Sequence, residues 1–587
     1  MRYNLNEKEV EPKKKKLGFK SVKSLIAHMV EEKNILLVAF AAMVVTAVLN
    51  LVGPIIIGNT VDNYIQTSQF RGVLINGGIL LATYVIALFA GYLQTRLMGS
   101  VGQRMLYNLR NSVFSKLQEL PFDFFNQNKT GDLISRINND TDKINQFFSQ
   151  SLMQFLRIIL VMIGSGIFLL AIYFELGLAA LAPALLIWIF TKIISPWVKK
   201  TNAESLKCVG SLSSEVQESL NNFKVVVAFN RRDYFRKRFD EVNHQNYKAA
   251  VKAGIANNMF LPVYTLFSNA GLLIVLALGI YFISIGQFTV GLLISFIAYV
   301  NSFYNPLRQL ASLWANFQVA LAAWDRIRKI LELENNMPQL AANGVDETAT
   351  LVSFRDVSFA YPGGNEVLHD ITFNLRRGKT YAFVGPTGGG KTTTASLIAR
   401  LYDATKGSVL LDGHDIRSFS AEERSKRIGF ILQDPFLFSG TVRENILYGN
   451  EEYANISNEN LKKIFHDTGL ETLLQRFENG LETRVDVSGD GISLGQKQLI
   501  AFMRAVLRKP DLLILDEATA NIDTVTEKML DEIIQKLPES TTKVIIAHRL
   551  NTIANADVIY FVNTGQVTRA GSLKEAVDML MKGKMAS

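Results

Sequence analysis

Cysteine is almost absent: Cys208 is the only one in 587 residues. That excludes a disulfide scaffold and any cysteine-built zinc site. Proline is scarce, at 13 residues, and the 40 glycines follow no repeat, which excludes collagen-like chains. Charge is also thin. Asp, Glu, Lys and Arg make up 20% of the chain, against about 25% in an average soluble domain, so a charge-swollen disordered chain is excluded as well. What is abundant is apolar surface: 48% hydrophobic and 10% aromatic residues, with a mean hydropathy of +0.16. The 62 basic and 53 acidic residues leave +9. Such an excess suits nucleic acid or the cytoplasmic side of a membrane protein, and its placement decides between them.

Long hydrophobic runs fill the first half, at 35–57, 73–93, 151–174, 176–195, 259–284 and 288–304. Each is close to the roughly 20 residues that cross a hydrocarbon core about 30 Å thick. Six spanning helices are predicted. The connections near 58–72, around Glu175 and at 283–289 are short and nearly free of Lys and Arg, whereas 96–150 and 196–257 are long and rich in both charges. The tail before the first run carries Lys13, Lys14, Lys15, Lys16, Lys20 and Lys23. The positive-inside rule places this tail and both long segments in the cytoplasm, with the spanning helices continuing beyond the bilayer. Beside a membrane entry, the lysine cluster reads as an anchor for anionic lipid headgroups. No secretory signal is expected, because the polar residues 1–34 precede the first run, itself too long for a signal core.

Composition changes at 330–350, after which β-rich runs alternate with helical patterns. The expected organisation is a cytoplasmic tail (1–34), a six-helix transmembrane domain with two long intracellular segments (35–329), a linker (330–350) and an α/β P-loop nucleotide-binding domain (351–587).

In that last domain Gly385-Pro386-Thr387-Gly388-Gly389-Gly390-Lys391-Thr392 matches G-x-x-x-x-G-K-[ST]. It follows the apolar strand Tyr381–Val384 and leads into a helical run from Thr393, the context a phosphate-binding loop requires. Its glycines let backbone N–H groups converge on phosphate oxygens, aided by the positive end of the helix. Lys391 then reaches the β- and γ-phosphates of ATP and the Thr392 hydroxyl reaches Mg²⁺. A dinucleotide fingerprint is excluded, since Thr387 stands at its second glycine position. A second strand ends in acid, Leu512-Leu513-Ile514-Leu515-Asp516-Glu517. Asp516 offers a hard oxygen to Mg²⁺, and Glu517 is placed to orient, or take a proton from, the attacking water. His548 ends a third strand, Val544–Ala547, on the edge where α/β sheets bind ligands.

Further motifs carry a family resemblance. Ile492-Ser493-Leu494-Gly495-Gln496-Lys497-Gln498 resembles the signature of ATP-binding cassette (ABC) transporters, Gln433 matches their Q-loop, Ala520-Asn521-Ile522-Asp523 their D-loop, and Tyr361 the aromatic residue that stacks on adenine. In the membrane half, Pro121–Phe125 with Gly131–Arg136, and Glu218–Lys224, resemble the intracellular segments that hold the family's coupling helices. With the six spans ahead of them, these motifs cover essentially the whole chain, which looks like a half-transporter of the bacterial multidrug or lipid exporter type.

The resemblance implies ATP and Mg²⁺ as cofactors. It implies nucleotide contacts from Tyr361, from Gly385 through Thr393 (Pro386, Thr387, Gly388, Gly389, Gly390, Lys391 and Thr392 between them), and from Ser493, Gly495 and Gln496 of the facing copy. It implies catalytic roles for Glu517, His548 and Gln433, and a metal set of Thr392, Gln433 and Asp516. Ile492 and Leu494 depart from the usual Leu-Ser-Gly-Gly-Gln, as relaxed signatures in heterodimeric exporters do, so a heterodimer with a second half-transporter is favoured over a homodimer. The implied cargo is a hydrophobic or amphipathic molecule, drug-like or lipid, moved across the cytoplasmic membrane; a lipid or lipid-linked precursor flippase is the alternative. Phe260, Tyr264, Asn269, Tyr281, Tyr299, Asn301 and Tyr304 either line a cavity or pack helices. A membrane-tethered regulatory or nucleic-acid-related ATPase is disfavoured: tethering needs one span, and no basic stripe points to nucleic acid as a partner.

Overall fold

The computed structural model describes residues 3, 5, 32–335, 337–341, 350–450, 452–486, 491–516, 524–546, 555–572 and 574–579. The chain forms two compact units. One contains residues 9–117 and 131–332; the other contains 1–8, 118–130 and 333–587.

Among the described residues of the first unit, six helices are long and apolar enough to cross a bilayer: Lys33–Ile65, Phe70–Glu119, Thr130–Ile172, Phe174–Asn221, Arg232–Ser284 and Val290–Leu331. The second to sixth run for 42 to 53 residues, about 60–80 Å at 1.5 Å per residue and twice the hydrocarbon thickness. The expected continuation past the bilayer is therefore helical. The opposite connections are minimal. Tyr173 alone, extended at φ −154°, separates the third and fourth spans. Gly286, at φ +73°, turns the chain between the fifth and sixth. Thr289 then caps the sixth span by accepting the Leu292 N–H.

Burial in this unit is sparse. The apolar window of the second span is only 6% buried, leaving Leu81, Leu88, Phe89 and Tyr92 exposed. A contiguous apolar face of this size marks a surface covered by lipid or protein. Where helices do pack, hydroxyls donate to helix carbonyls: Ser295 to Pro54, Tyr299 to Leu51 and Tyr304 to Ala180. The Tyr264 hydroxyl bonds Thr191 Oγ1 at 2.7 Å. Inside hydrocarbon no water replaces such partners. Tyr264, Tyr299 and Tyr304 are thus buried in helix packing here, as one of the two sequence readings expects.

Among the described residues, the second unit holds twelve strands: β1 Thr350–Ala360, β2 Glu366–Arg376, β3 Thr380–Val384, β4 Lys406–Leu411, β5 His414–Asp415, β6 Ile428–Ile431, β7 Gly440–Thr441, β8 Arg484–Val485, β9 Leu512–Asp516, β10 Thr542–Ile546, β11 Val558–Asn563 and β12 Gln566–Ala570. The central sheet has the order β12-β11-β3-β10-β9-β6. Only the β11–β12 pair in it is antiparallel; the others are parallel. A four-stranded antiparallel sheet, β2-β1-β4-β5, packs with one of its faces.

Alternation explains why these strands read as unbroken apolar runs. Tyr381 and Phe383 of β3, Leu512 and Ile514 of β9, and Val544 and Ile546 of β10 enter a core shared with β1 and β2. Their neighbours Ala382, Val384, Leu513, Leu515 and Ile545 enter a second core on the other face, with Leu499, Ile500 and Met503 of the helix Leu494–Leu507. A parallel sheet covered on both faces has no polar side to show.

Candidate active site at the carboxyl edge of the parallel sheet

Because β3, β10, β9 and β6 run the same way, their carboxyl ends lie along one edge, where open α/β sheets bind ligands. The motif residues are laid out along this edge. Gly385 follows β3, Asp516 ends β9, and Gln433 stands two residues beyond β6. Ile546, the last residue of β10, is in register with both Phe383 and Asp516. β10 itself therefore ends between the loop strand β3 and the acidic strand β9. Glu517, His548 and the D-loop residues Ala520–Asp523 lie outside the described residues.

The loop itself is shaped by two glycines. Gly385, at φ +153°, lies so close to the Val562 carbonyl that a Cβ would collide with it. Gly390, at φ +112°, is the left-handed N-cap of the helix Lys391–Ile398, a conformation that side chains disfavour. The loop is also tied to its neighbours: Gly389 N–H donates to Pro386 O at 3.1 Å, and Gly565 N–H to Gly389 O at 3.1 Å. Lys391 is buried, and its Nζ donates to the carbonyls of Gly385 and Pro386 at 2.9 and 3.0 Å. The cation thus lies against the loop backbone at the N-terminus of the helix Lys391–Ile398, a position that suits phosphate.

Thr392 and Asp516 meet across the edge. Thr392 Oγ1 donates to Asp516 Oδ1 at 3.3 Å, and Asp516 is only 2% exposed. A hydroxyl and a carboxylate oxygen side by side form the hard donor pair that Mg²⁺ accepts, so these residues fit that ion. Gln433 is exposed on the same edge.

Tyr361 stands over the start of the same helix, its hydroxyl 3.1 Å from Thr393 Oγ1. It packs edge-on against Phe359 and Tyr402, with centroids 4.9 and 5.3 Å away. Tyr402 carried no motif in the sequence, and no local signal marks it. It also meets Phe122 edge-on at 6.0 Å, and its hydroxyl accepts from Asn126 Nδ2 at 2.6 Å. Phe122 and Asn126 are four residues apart on the short helix Phe122–Gln127, hence on one face. Burial pushes the Tyr402 phenol above its ordinary value, against the opposing bond from Asn126.

The signature segment opens the helix Leu494–Leu507. Ser493 is its N-cap: Ser493 Oγ accepts the Gln496 N–H at 3.2 Å, and Gln496 Oε1 accepts the Ser493 N–H at 2.9 Å. This capping box satisfies two helix-end donors at once. Gln496 Nε2 also donates to Arg476 O at 2.8 Å, so this side chain holds the loop in place. The two departures have distinct environments. Ile492 is a buried member of the second core, whereas Leu494 is exposed. Ile492 keeps an apolar anchor; Leu494 touches nothing that explains it.

Comparison with known proteins agrees with this geometry. A family model described as "ABC transporter transmembrane region" matches residues 36–307, and one described as "ABC transporter" matches 368–520. An uncharacterized ABC transporter ATP-binding protein of Bacillus subtilis, YfiC, is 33% identical over 559 residues, 95% of this chain and 92% of its own. A fatty acid ABC transporter ATP-binding/permease protein of Mycobacterium bovis is 34% identical over 510 residues, 87% and 80% of the two chains. A multidrug resistance ABC transporter ATP-binding and permease protein of Lactococcus lactis is 31% identical over 506 residues, 86% and 85%. A membrane region and a nucleotide-binding ATPase joined in one polypeptide, matched along nearly its full length by proteins built the same way, place this chain in the ABC transporter family, as an exporter half-transporter that hydrolyses ATP to drive transport.

Proposed function

We propose that this chain exports a hydrophobic or amphipathic molecule, drug-like or lipid, across the cytoplasmic membrane by alternating access, as one half of a dimeric transporter. The observation that carries the nucleotide chemistry is the meeting of Thr392 and Asp516 beside Lys391 at the mouth of the loop. Tyr361 stacks on the adenine, the loop N–H groups from Gly385 to Thr393 take the phosphates, and Lys391 turns from its carbonyls to the β- and γ-phosphates. Thr392, Asp516 and Gln433 would hold Mg²⁺, whose charge would offset that of the phosphates. Glu517, next to Asp516, orients the attacking water and accepts its proton, with His548 beside it. Ser493 and Gly495, with Gln496 bracing their loop, face the γ-phosphate of the nucleotide held by the other half. ATP bridging two halves favours their closed state and shifts the population toward it; hydrolysis removes the bridge.

The tail and the ATPase unit are cytoplasmic, as the lysine placement supports. The relaxed signature at Ile492 and Leu494 favours a different chain as partner. For the cargo, relatives named for fatty acids and for multidrug resistance both support an apolar class. Lipid flipping stands within it.

Glu517→Gln tests the chemistry. With the partner half present and reconstituted in lipid, ATP binding is retained and turnover falls by about 10²–10⁴-fold. Turnover at the parent rate would remove Glu517 from this role.

A further inference from the structure

The chain passes between its two units four times: after Lys8, Leu117, Thr130 and Glu332. Tyr3, in the same unit as residues 118–130 and 333–587, makes contacts close to the last two of these passages. It is 1% exposed. Its N–H donates to Gln127 Oε1 at 2.9 Å, and its carbonyl accepts from Asn128 Nδ2 at 2.8 Å. Its ring meets Phe124 edge-on at 6.2 Å, and its hydroxyl donates to Glu334 O at 2.9 Å. Leu5 N–H extends the contact by donating to Asn128 Oδ1 at 3.0 Å.

Each partner is itself held. Gln127 Nε2 donates to the buried Asp123 at 2.7 Å, and Asn128 Nδ2 also donates to Phe124 O at 2.8 Å. Phe124 and Gln127 lie on one side of the short helix, at i and i+3, and Asn128 is the extended residue that ends it. The opposite pair, Phe122 and Asn126, bonds Tyr402, which packs on Tyr361. The helix therefore has a face toward the nucleotide aromatic and a face toward Tyr3, and Tyr3 reaches on to the linker that follows the sixth span.

We propose that Tyr3 is a positioning residue for coupling: it pins the helix Phe122–Gln127 to the linker at Glu334, so that the chain connections after the second and sixth spans respond together to nucleotide. The composition of the tail gives no hint of this, because a tyrosine among polar residues has no periodicity to read. The ring is buried and its N–H, carbonyl and hydroxyl are all bonded, so Tyr3 is held at both ends of this link.

Amide hydrogen exchange tests the proposal in the full-length protein, assembled with its partner half in phosphatidylethanolamine–phosphatidylglycerol nanodiscs, with and without AMP-PNP. Because AMP-PNP is not hydrolysed, the outcome is independent of which residue is the catalytic base. In the parent, nucleotide slows exchange in both 118–130 and 333–341. Tyr3→Ala keeps the response in 118–130, which still reaches Tyr361 through Tyr402, and loses it in 333–341, by about tenfold in rate. Tyr3→Phe keeps every contact except the bond to Glu334 and weakens the 333–341 response alone, which guards against a folding defect in the alanine variant. A role in folding alone would speed exchange equally in both states and leave the nucleotide response intact. That result, or a parent in which the two segments do not respond together, overturns the proposal.

Discussion

Apolar residues are handled differently by the two units. In β3 of the ATPase unit, Tyr381 and Phe383 fill one core while Ala382 and Val384 fill another, so the last four residues of the strand are covered by the chain itself. In the second membrane span the apolar window is 6% buried, and its covering must come from outside the chain. The difference teaches what apolar content means in each place. In the sheet it fixes the edge on which Lys391, Thr392 and Asp516 meet. In the second span it matches a solvent outside the chain.

Paired substitutions give the largest test of this contrast. Phe383→Ala removes a ring that is 0% exposed and lowers stability of the ATPase unit by about 3–5 kcal/mol. Leu88→Ala in the exposed face of the second span shifts thermal unfolding of the lipid-embedded protein by less than about 0.5 kcal/mol. Equal losses would mean that the span is packed as tightly as the strand. Next in size is Lys391→Ala. It removes a buried cation held by two carbonyls and weakens nucleotide binding by about 1.5–3 kcal/mol, read by titration with a fluorescent ATP analogue, with the sheet intact by circular dichroism.

The smallest effect is electrostatic. The hydrogen bond from Arg377 to Asp412 at 2.7 Å, opposed by partial burial and assisted by Arg427, holds the Asp412 carboxyl below its ordinary value. A depressed carboxyl stabilises the fold above its unfolded value, near 3.9, and that contribution fades as pH falls through the folded value. The pair is more than a third exposed, so the gap in unfolding free energy between parent and Asp412→Asn stays below about 1 kcal/mol at neutral pH. It closes in acid. A gap that widened on acidification would reverse the assigned sign.

Reading the sequence succeeded where chemistry is written locally. A phosphate loop needs its glycines, lysine and threonine consecutively, and a spanning helix needs its apolar residues in one run. Both are therefore legible along the chain, as are the strands Tyr381–Val384 and Leu512–Asp516. Reading stopped where a residue acts through a distant partner. Tyr264, Tyr299 and Tyr304 offered two roles until their hydroxyls were found on Thr191, Leu51 and Ala180. Tyr402 was silent because its partner Asn126 lies 276 residues away.

Family, architecture and the order of the site motifs were thus determined by the sequence alone, since period, run length and contiguous spacing are properties of neighbours along the chain. Which tyrosines pack and which face a site, how Gln496 braces its own loop, and that Tyr3 reaches Glu334 across 331 residues were decided only by the tertiary structure. The reason is physical: a buried hydroxyl or amide must find a partner wherever the fold brings one, and separation along the chain does not say where that is.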